Sequence, residues 1–170
     1  MTLVVCNDII GLLCLRSDFV PRTETVKLTN MCMVYDGDKV LIQNKVDDES
    51  WNGITFPGGH VEKGEPFTDA VIREVFEETG LTISAPQLCG IKDWIQNDGS
   101  RYMVLLYKTN KFTGELKASE EGEVYWVELN ELSQMKLAND MNDLMTVFID
   151  DNLSEFRYYI ENEEWKHILK

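Results

Sequence analysis

Gly59-His60-Val61-Glu62-Lys63-Gly64-Glu65 and, seven residues further on, Arg73-Glu74-Val75-Phe76-Glu77-Glu78-Thr79-Gly80-Leu81 form the stretch that decides how this chain is read. A helix from about Pro66 to Thr79 puts Glu74, Glu77 and Glu78 at i, i+3 and i+4, side by side on one patch. Like charges so placed repel, at a cost of roughly 0.2–0.5 kcal/mol per pair in an isolated helix. Three acids kept together beside Arg73 therefore suggest a bound cation. Carboxylate oxygens without a Cys or His cluster favour a hard divalent ion, Mg2+ or Mn2+, over zinc or copper. The competing account is a solvated acidic helix face, the common fate of glutamate-rich helices. Two neighbours weigh against it. Phe56-Pro57-Gly58-Gly59 reads as a strand running into a tight Gly-Gly turn where backbone carbonyls approach an ion, and Gly80 supplies the helix stop.

The pattern G-x5-E-x7-R-E-U-x-E-E-x-G-U, with U apolar, is filled at every position from Gly59 to Leu81. It resembles the signature of the Nudix hydrolases. From average residue usage, a chance match in a chain this long is on the order of one in a million or less. The resemblance implies an α/β fold, a mixed β-sheet sandwiched between α-helices, and hydrolysis of a nucleoside diphosphate linked to another moiety.

Composition agrees with a small intracellular enzyme. The 170 residues suit one domain with a proper core, here residues 23–170, preceded by an extension, residues 1–22, of undecided structure. Cysteines at positions 6, 14, 32 and 89 form no metal spacing and read as reduced thiols of a cytoplasmic protein. The apolar run Leu3 to Leu15 is broken by Asn7-Asp8 and lacks a preceding basic residue, so neither a signal peptide nor a membrane span is expected. With 30 acidic against 16 basic residues the formal charge is −14, which argues against a nucleic-acid polymer as partner. A small phosphorylated substrate remains compatible, because bound cations invert the local field. Sequence leaves monomer and homodimer equally open.

Strands are expected at Val26–Tyr35 and Lys39–Val46 around an Asp36-Gly37-Asp38 hairpin, at Ile54–Phe56, at Leu88–Gln96 and Tyr102–Lys108 around Asn97-Asp98-Gly99, and at Val124–Glu128. Met141, Leu144, Met145 and Phe148 recur at helical spacing between Asn139 and Asp150, which reads as a core-facing helix. The tail from Phe156 to Lys170 carries Tyr158, Tyr159 and Trp165 among charges. It either covers the core or joins a dimer contact, and packing is the favoured reading.

By resemblance, Glu74, Glu77 and Glu78 hold the metal, Mg2+ with Mn2+ as a substitute, and the Gly59 carbonyl adds a ligand. Glu77 and Arg73 count among the catalytic set. Arg73 either orients a glutamate of the patch by a charge-assisted hydrogen bond or only offsets repulsion. Gly58, Glu65 and Gly80 hold the loop and helix together, although a helix-dipole role alone also explains Glu65. Glu120, then Glu121, are the candidates for a further acid serving as base or ligand, against the reading of a solvated acidic turn. Lys45 falls where related proteins carry a basic substrate contact, and His60 is either a phosphate contact or structural.

The proline and the flanking patterns of the ADP-ribose, coenzyme A and NADH branches are not visible. The Trp51 to Gly59 approach and the Glu120 to Trp126 stretch resemble the MutT-like branch. In it an Asn or Asp after the last strands reads an oxidised guanine, which points to Asn139, then Asp140. A buried amide suits purine discrimination. Asn139 reads equally as the N-cap of the following helix. The expected activity is a MutT-like, Mg2+-dependent pyrophosphohydrolase of 8-oxo-dGTP or a related purine nucleotide. Hydrolysis of another nucleoside diphosphate derivative and a non-catalytic ligand-sensing module are the alternatives.

Overall fold

The computed structural model describes residues 23–45, 53–117 and 122–170, so the N-terminal extension, Val46, Trp51, Glu120 and Glu121 lie outside the described residues. Ten strands and two α-helices are described: β1 (Val26–Asp36), β2 (Lys39–Lys45), β3 (Gly53–Thr55), α1 (Phe67–Thr79), β4 (Leu81–Ile83), β5 (Gln87–Ile95), β6 (Arg101–Thr109), β7 (Phe112–Gly114), β8 (Glu123–Glu128), α2 (Met141–Ile149), β9 (Glu155–Glu161) and β10 (Glu164–Leu169). Eight of the strands form one mixed sheet in the order β10-β9-β5-β6-β1-β2-β3, with β8 on the other edge of β2. β4 and β7 pair separately.

Alternation along the central strands sorts the core into two layers. Met31 and Met33 of β1, Val40 and Ile42 of β2, and Val104 and Leu106 of β6 face α2, where Leu144, Met145 and Phe148 meet them. Cys32 and Val34, Leu41, and Leu105 and Tyr107 face the opposite way, onto Val71 and Val75 of α1. Those two valines stand at i and i+4, so one stripe of the helix is buried and the glutamate face is left outward. The helices cover opposite faces of the sheet, as the expected sandwich requires.

One irregularity makes the site possible. β1 and β2 pair only next to their turn, at Tyr35↔Val40 and Asp36↔Lys39. Beyond that they splay, and the segment after β3 enters the gap. The Asn30 N–H donates to the Gly59 carbonyl at 2.8 Å, the Cys32 N–H to the Pro57 carbonyl at 2.9 Å, and the Val61 N–H to the Leu28 carbonyl at 2.9 Å. The glycine turn thus serves β1 as a neighbouring strand would, and its backbone needs are met there. Space in the gap is tight. A methyl group on Gly58, whose φ is 152°, would sit 2.7 Å from the Met31 Cα.

One expectation, the cap of α2, is corrected, and two features go beyond the sequence reading. The tail is a β-hairpin, β9 and β10, that extends the sheet by parallel pairing of β9 with β5 from Ile91↔Glu155 to Asp93↔Arg157. Its turn residues Asn162 and Glu163 have φ of 55° and 65°, a left-handed pair with no glycine to signal it. Packing is nonetheless correct for Phe156, which is fully buried. The cap of α2 is Asp140 rather than Asn139: Asp140 has φ 60°, its carbonyl accepts the Leu144 N–H, and its side chain makes no capping bond. Finally, β4, β7 and a 3-10 turn over Leu129–Gln134 have no counterpart in the sequence reading.

Candidate active site

Arg73 organises the outward face of α1. Its Nε and Nη2 donate to Glu65 Oε1 and Oε2 at 2.8 and 2.9 Å, a bidentate pair. Nη1 donates to Glu74 Oε1 at 2.8 Å and to Glu77 Oε2 at 3.0 Å, and Nη2 also reaches the His60 carbonyl at 3.0 Å. One planar cation therefore joins the loop, the helix start and two of the three glutamates. The Arg73 fork and the Glu62 N–H hold the Glu65 carboxyl well down, at about 2, and the hydrogen bonds to Glu65, Glu74 and Glu77 raise Arg73 above its ordinary value.

Glu78 turns the other way. It is 2% exposed, and its Oε2 accepts the Gly58 N–H at 2.7 Å while Oε1 meets Lys45 Nζ at 3.2 Å. It ties the glycine turn to the helix from behind. Glu74 stands against Gly59, where an added Cβ would come within 2.7 Å of the carboxylate carbon. Among the described residues no three His, Cys, Asp or Glu side chains converge as a ready coordination group: Glu74 and Glu77 share Arg73 Nη1, while Glu78 is held by Gly58 and Lys45. The donor set itself suits a hard divalent cation: carboxylate oxygens of Glu74 and Glu77 beside the Gly59 carbonyl, with no thiol or imidazole ligand required.

Glu74 and Glu77 line a cleft of about 490 Å3 together with Gly58, Gly59, His60 and Lys45. Its lining also includes Thr29, Asn30, Phe56 and Tyr102. Sequence reasoning missed Asn30. Its side-chain amide is buried and neither Oδ1 nor Nδ2 has a hydrogen-bond partner in the structure, a costly state in a cleft wall. The signal was present as a lone amide inside the run Leu28-Thr29-Asn30-Met31-Cys32, where apolar residues or threonine are the rule.

A NUDIX domain model matches residues 27–148. The chain belongs to the Nudix family. Over 66% of its length it is 37% identical to the uncharacterized Nudix hydrolase YvcI of Bacillus subtilis, covering 72% of that protein. It is 30% identical over 58% of its length to an ADP-ribose pyrophosphatase of Methanocaldococcus jannaschii, spanning 59% of that enzyme. The crystal structure of a mutator MutT protein from Bacillus halodurans superposes with a TM-score of 0.66 at 29% identity, covering 85% of this chain and 97% of that one. This is a Nudix hydrolase of MutT type, acting on phosphoanhydride bonds of small nucleotide substrates, a chemistry that in this family uses a divalent cation such as Mg2+ or Mn2+. No helix among the described residues is long and apolar enough to cross a membrane.

The remaining sequence candidates are placed as follows. Gly80 is the left-handed C-cap of the Nudix helix, with φ 75°. Asn139 and Asp140 lie away from the carboxylate cleft, in a second pocket of about 410 Å3 lined also by Trp94 and Tyr158. Asn139 is exposed there, not the buried amide the sequence suggested.

Proposed function

We propose that this Nudix hydrolase is a nucleoside triphosphate pyrophosphohydrolase that cuts 8-oxo-dGTP or a related purine nucleotide to the monophosphate and pyrophosphate. The observation that carries the proposal is the placement of Glu74 and Glu77 in the wall of a nucleotide-sized cleft, beside Gly59 and under the control of Arg73. Glu74, Glu77 and the Gly59 carbonyl would hold Mg2+, with Glu78 joining on release from Lys45. A divalent cation bound there supplies charge neutralisation at the phosphoanhydride and makes a water nucleophilic at neutral pH.

This chain's own residues do the rest. Arg73 fixes the carboxylates of Glu74 and Glu77 through Nη1 so that they are oriented before substrate arrives. Lys45 offers a cation at the cleft, shared with Glu78, for a phosphate oxygen. Asn30 offers an amide donor and acceptor to the same ligand. Asn139 and Asp140 read the base edge. Glu120 or Glu121 serves as general base, and the site works in the cytoplasm.

The test is hydrolysis, with Mg2+ and then Mn2+, across 8-oxo-dGTP, the ordinary dNTPs, ADP-ribose and a diadenosine polyphosphate. A kcat/KM preference for 8-oxo-dGTP that shrinks in Asn139→Ala is the expected result. Mg2+ is expected to raise Tm in the wild type and not in the Glu77→Gln, Glu78→Gln double variant; equal shifts in both sink the metal assignment. The relative named as an ADP-ribose pyrophosphatase favours a second reading, a nucleoside diphosphate sugar as substrate. Turnover of ADP-ribose alone would select it.

A further inference from the structure

Half of the second pocket's lining comes from a part of the chain that the family match does not include. Tyr158, Trp165 and His167 come from the β9–β10 hairpin, beyond residue 148, and close over Trp94 of β5 and the Asn139-Asp140 turn. The walls are flat rings. Tyr158 meets Trp94 edge-on at 6.3 Å and Trp165 edge-on at 6.2 Å. Beneath them the Lys92 ammonium, on a side chain 2% exposed, lies 5.3 Å from the Tyr158 ring centre and 5.8 Å from that of Trp94. The pocket adjoins the catalytic cleft across one pair of rings. Tyr102 in the cleft wall stacks on Trp94 with centroids 4.4 Å apart and planes 12° from parallel.

Resting on the nucleotide reading above, we propose that this hairpin pocket is the base subsite, and that Trp165 and Tyr158 set specificity by stacking a purine ring whose phosphates lie along the Nudix helix. Three features select that occupant. The surfaces are aromatic faces and edges, which favour a flat heterocycle over a sugar or an aliphatic chain. The polar groups at the rim, Asn139 and Asp140, offer both donors and acceptors to a ring edge. The cation under the floor draws on the π faces of Tyr158 and Trp94 and holds those rings as a fixed flat surface. Trp165, 53% exposed, has the surface of a ring awaiting a stacking partner. Asp140 holds φ 60° without glycine's freedom, a backbone cost spent at the pocket rim.

The experiment is titration of GMP, 8-oxo-GMP and ribose 5-phosphate into wild type, Trp165→Ala and Trp165→Phe, read by tryptophan fluorescence and calorimetry without added metal. Steady-state KM and kcat for the best triphosphate, and sedimentation, accompany it. The purine monophosphates are expected to bind the wild type at least tenfold more tightly than ribose 5-phosphate. Trp165→Ala is expected to weaken them about tenfold and raise KM with kcat unchanged, and Trp165→Phe to restore most of the loss. Identical purine affinity and KM in Trp165→Ala overturn the subsite while leaving nucleotide hydrolysis standing. Purine binding that depends on Trp165, without turnover of any nucleotide, keeps the subsite and sinks the proposed activity. A dimer that Trp165→Ala dissociates, with no change in purine binding by the monomer, overturns the subsite in favour of a second copy of the chain.

Discussion

Arg73 and Lys92 are both cations set against the same sheet, and they are held in opposite ways. Arg73 sits at the surface among three carboxylates and a carbonyl, with every contact favouring its charge. Lys92 is buried among Trp94, Phe156 and Tyr158, and burial pushes its ammonium down to about 8, against a partial pull upward from Asp140. The first cation is an organiser made cheap by its partners. The second is kept at a cost to stability.

The largest effect is expected from removing that cost. Lys92 has a folded value of about 8, below its ordinary 10.5, so between these values the unfolded chain holds the extra proton. The penalty is therefore complete below about pH 8 and is relieved as pH rises toward 10.5. Lys92→Met should raise stability on the order of 2–3 kcal/mol at pH 7. In urea unfolding, the gap between variant and wild type should close from pH 8 to pH 10; a pH-independent gap would break the contrast with Arg73.

On the opposite side, Arg73→Ala should lower kcat/KM about 10- to 100-fold, as removal of an orienting partner of ligating groups does. Arg73→Lys should recover little, since an ammonium cannot span Glu65 bidentately while reaching Glu74 and Glu77. Full activity in the lysine variant would mean that charge alone suffices. The smallest effect concerns Glu65. Its folded value of about 2 lies below the ordinary 4.5, so its contribution is present above pH 4.5 and fades as pH falls toward 2. Acid melting curves of wild type and Glu65→Gln should accordingly converge near pH 2.

The two regions also differ in how far the sequence revealed them. The Arg73 face was legible because it is local: Glu74 is the next residue in the chain, the i, i+4 spacing brings Glu77 to Arg73, and the Gly58-Gly59 turn marks the loop that meets them. The direction of Glu78 was not legible. Facing inward to Gly58 and Lys45 depends on the splay of β1 from β2, which no spacing reports. The aromatic pocket was opaque for a stronger reason. Trp94, Asp140 and Trp165 stand on elements tens of residues apart, and only the parallel register of β9 on β5 brings the tail across. That register is fixed in part by Asp93, fully buried, which accepts from Arg157 of β9 and Arg101 of β6. In the sequence these three are ordinary charges. Asn139 was placed at the right turn, and the capping role read for it as an alternative falls to Asp140.

The glycine turn that fills the gap beside β1 has a further consequence for motion. Asn30 and Cys32, in the middle of the central strand, donate their amide hydrogens to the carbonyls of Gly59 and Pro57 and to no strand. The site loop therefore cannot lift away without opening the interior of the sheet, so its excursions are as rare as partial unfolding. Rigidity at the place of chemistry is here inherited from the core, and the exchange of two backbone protons with solvent is its clock.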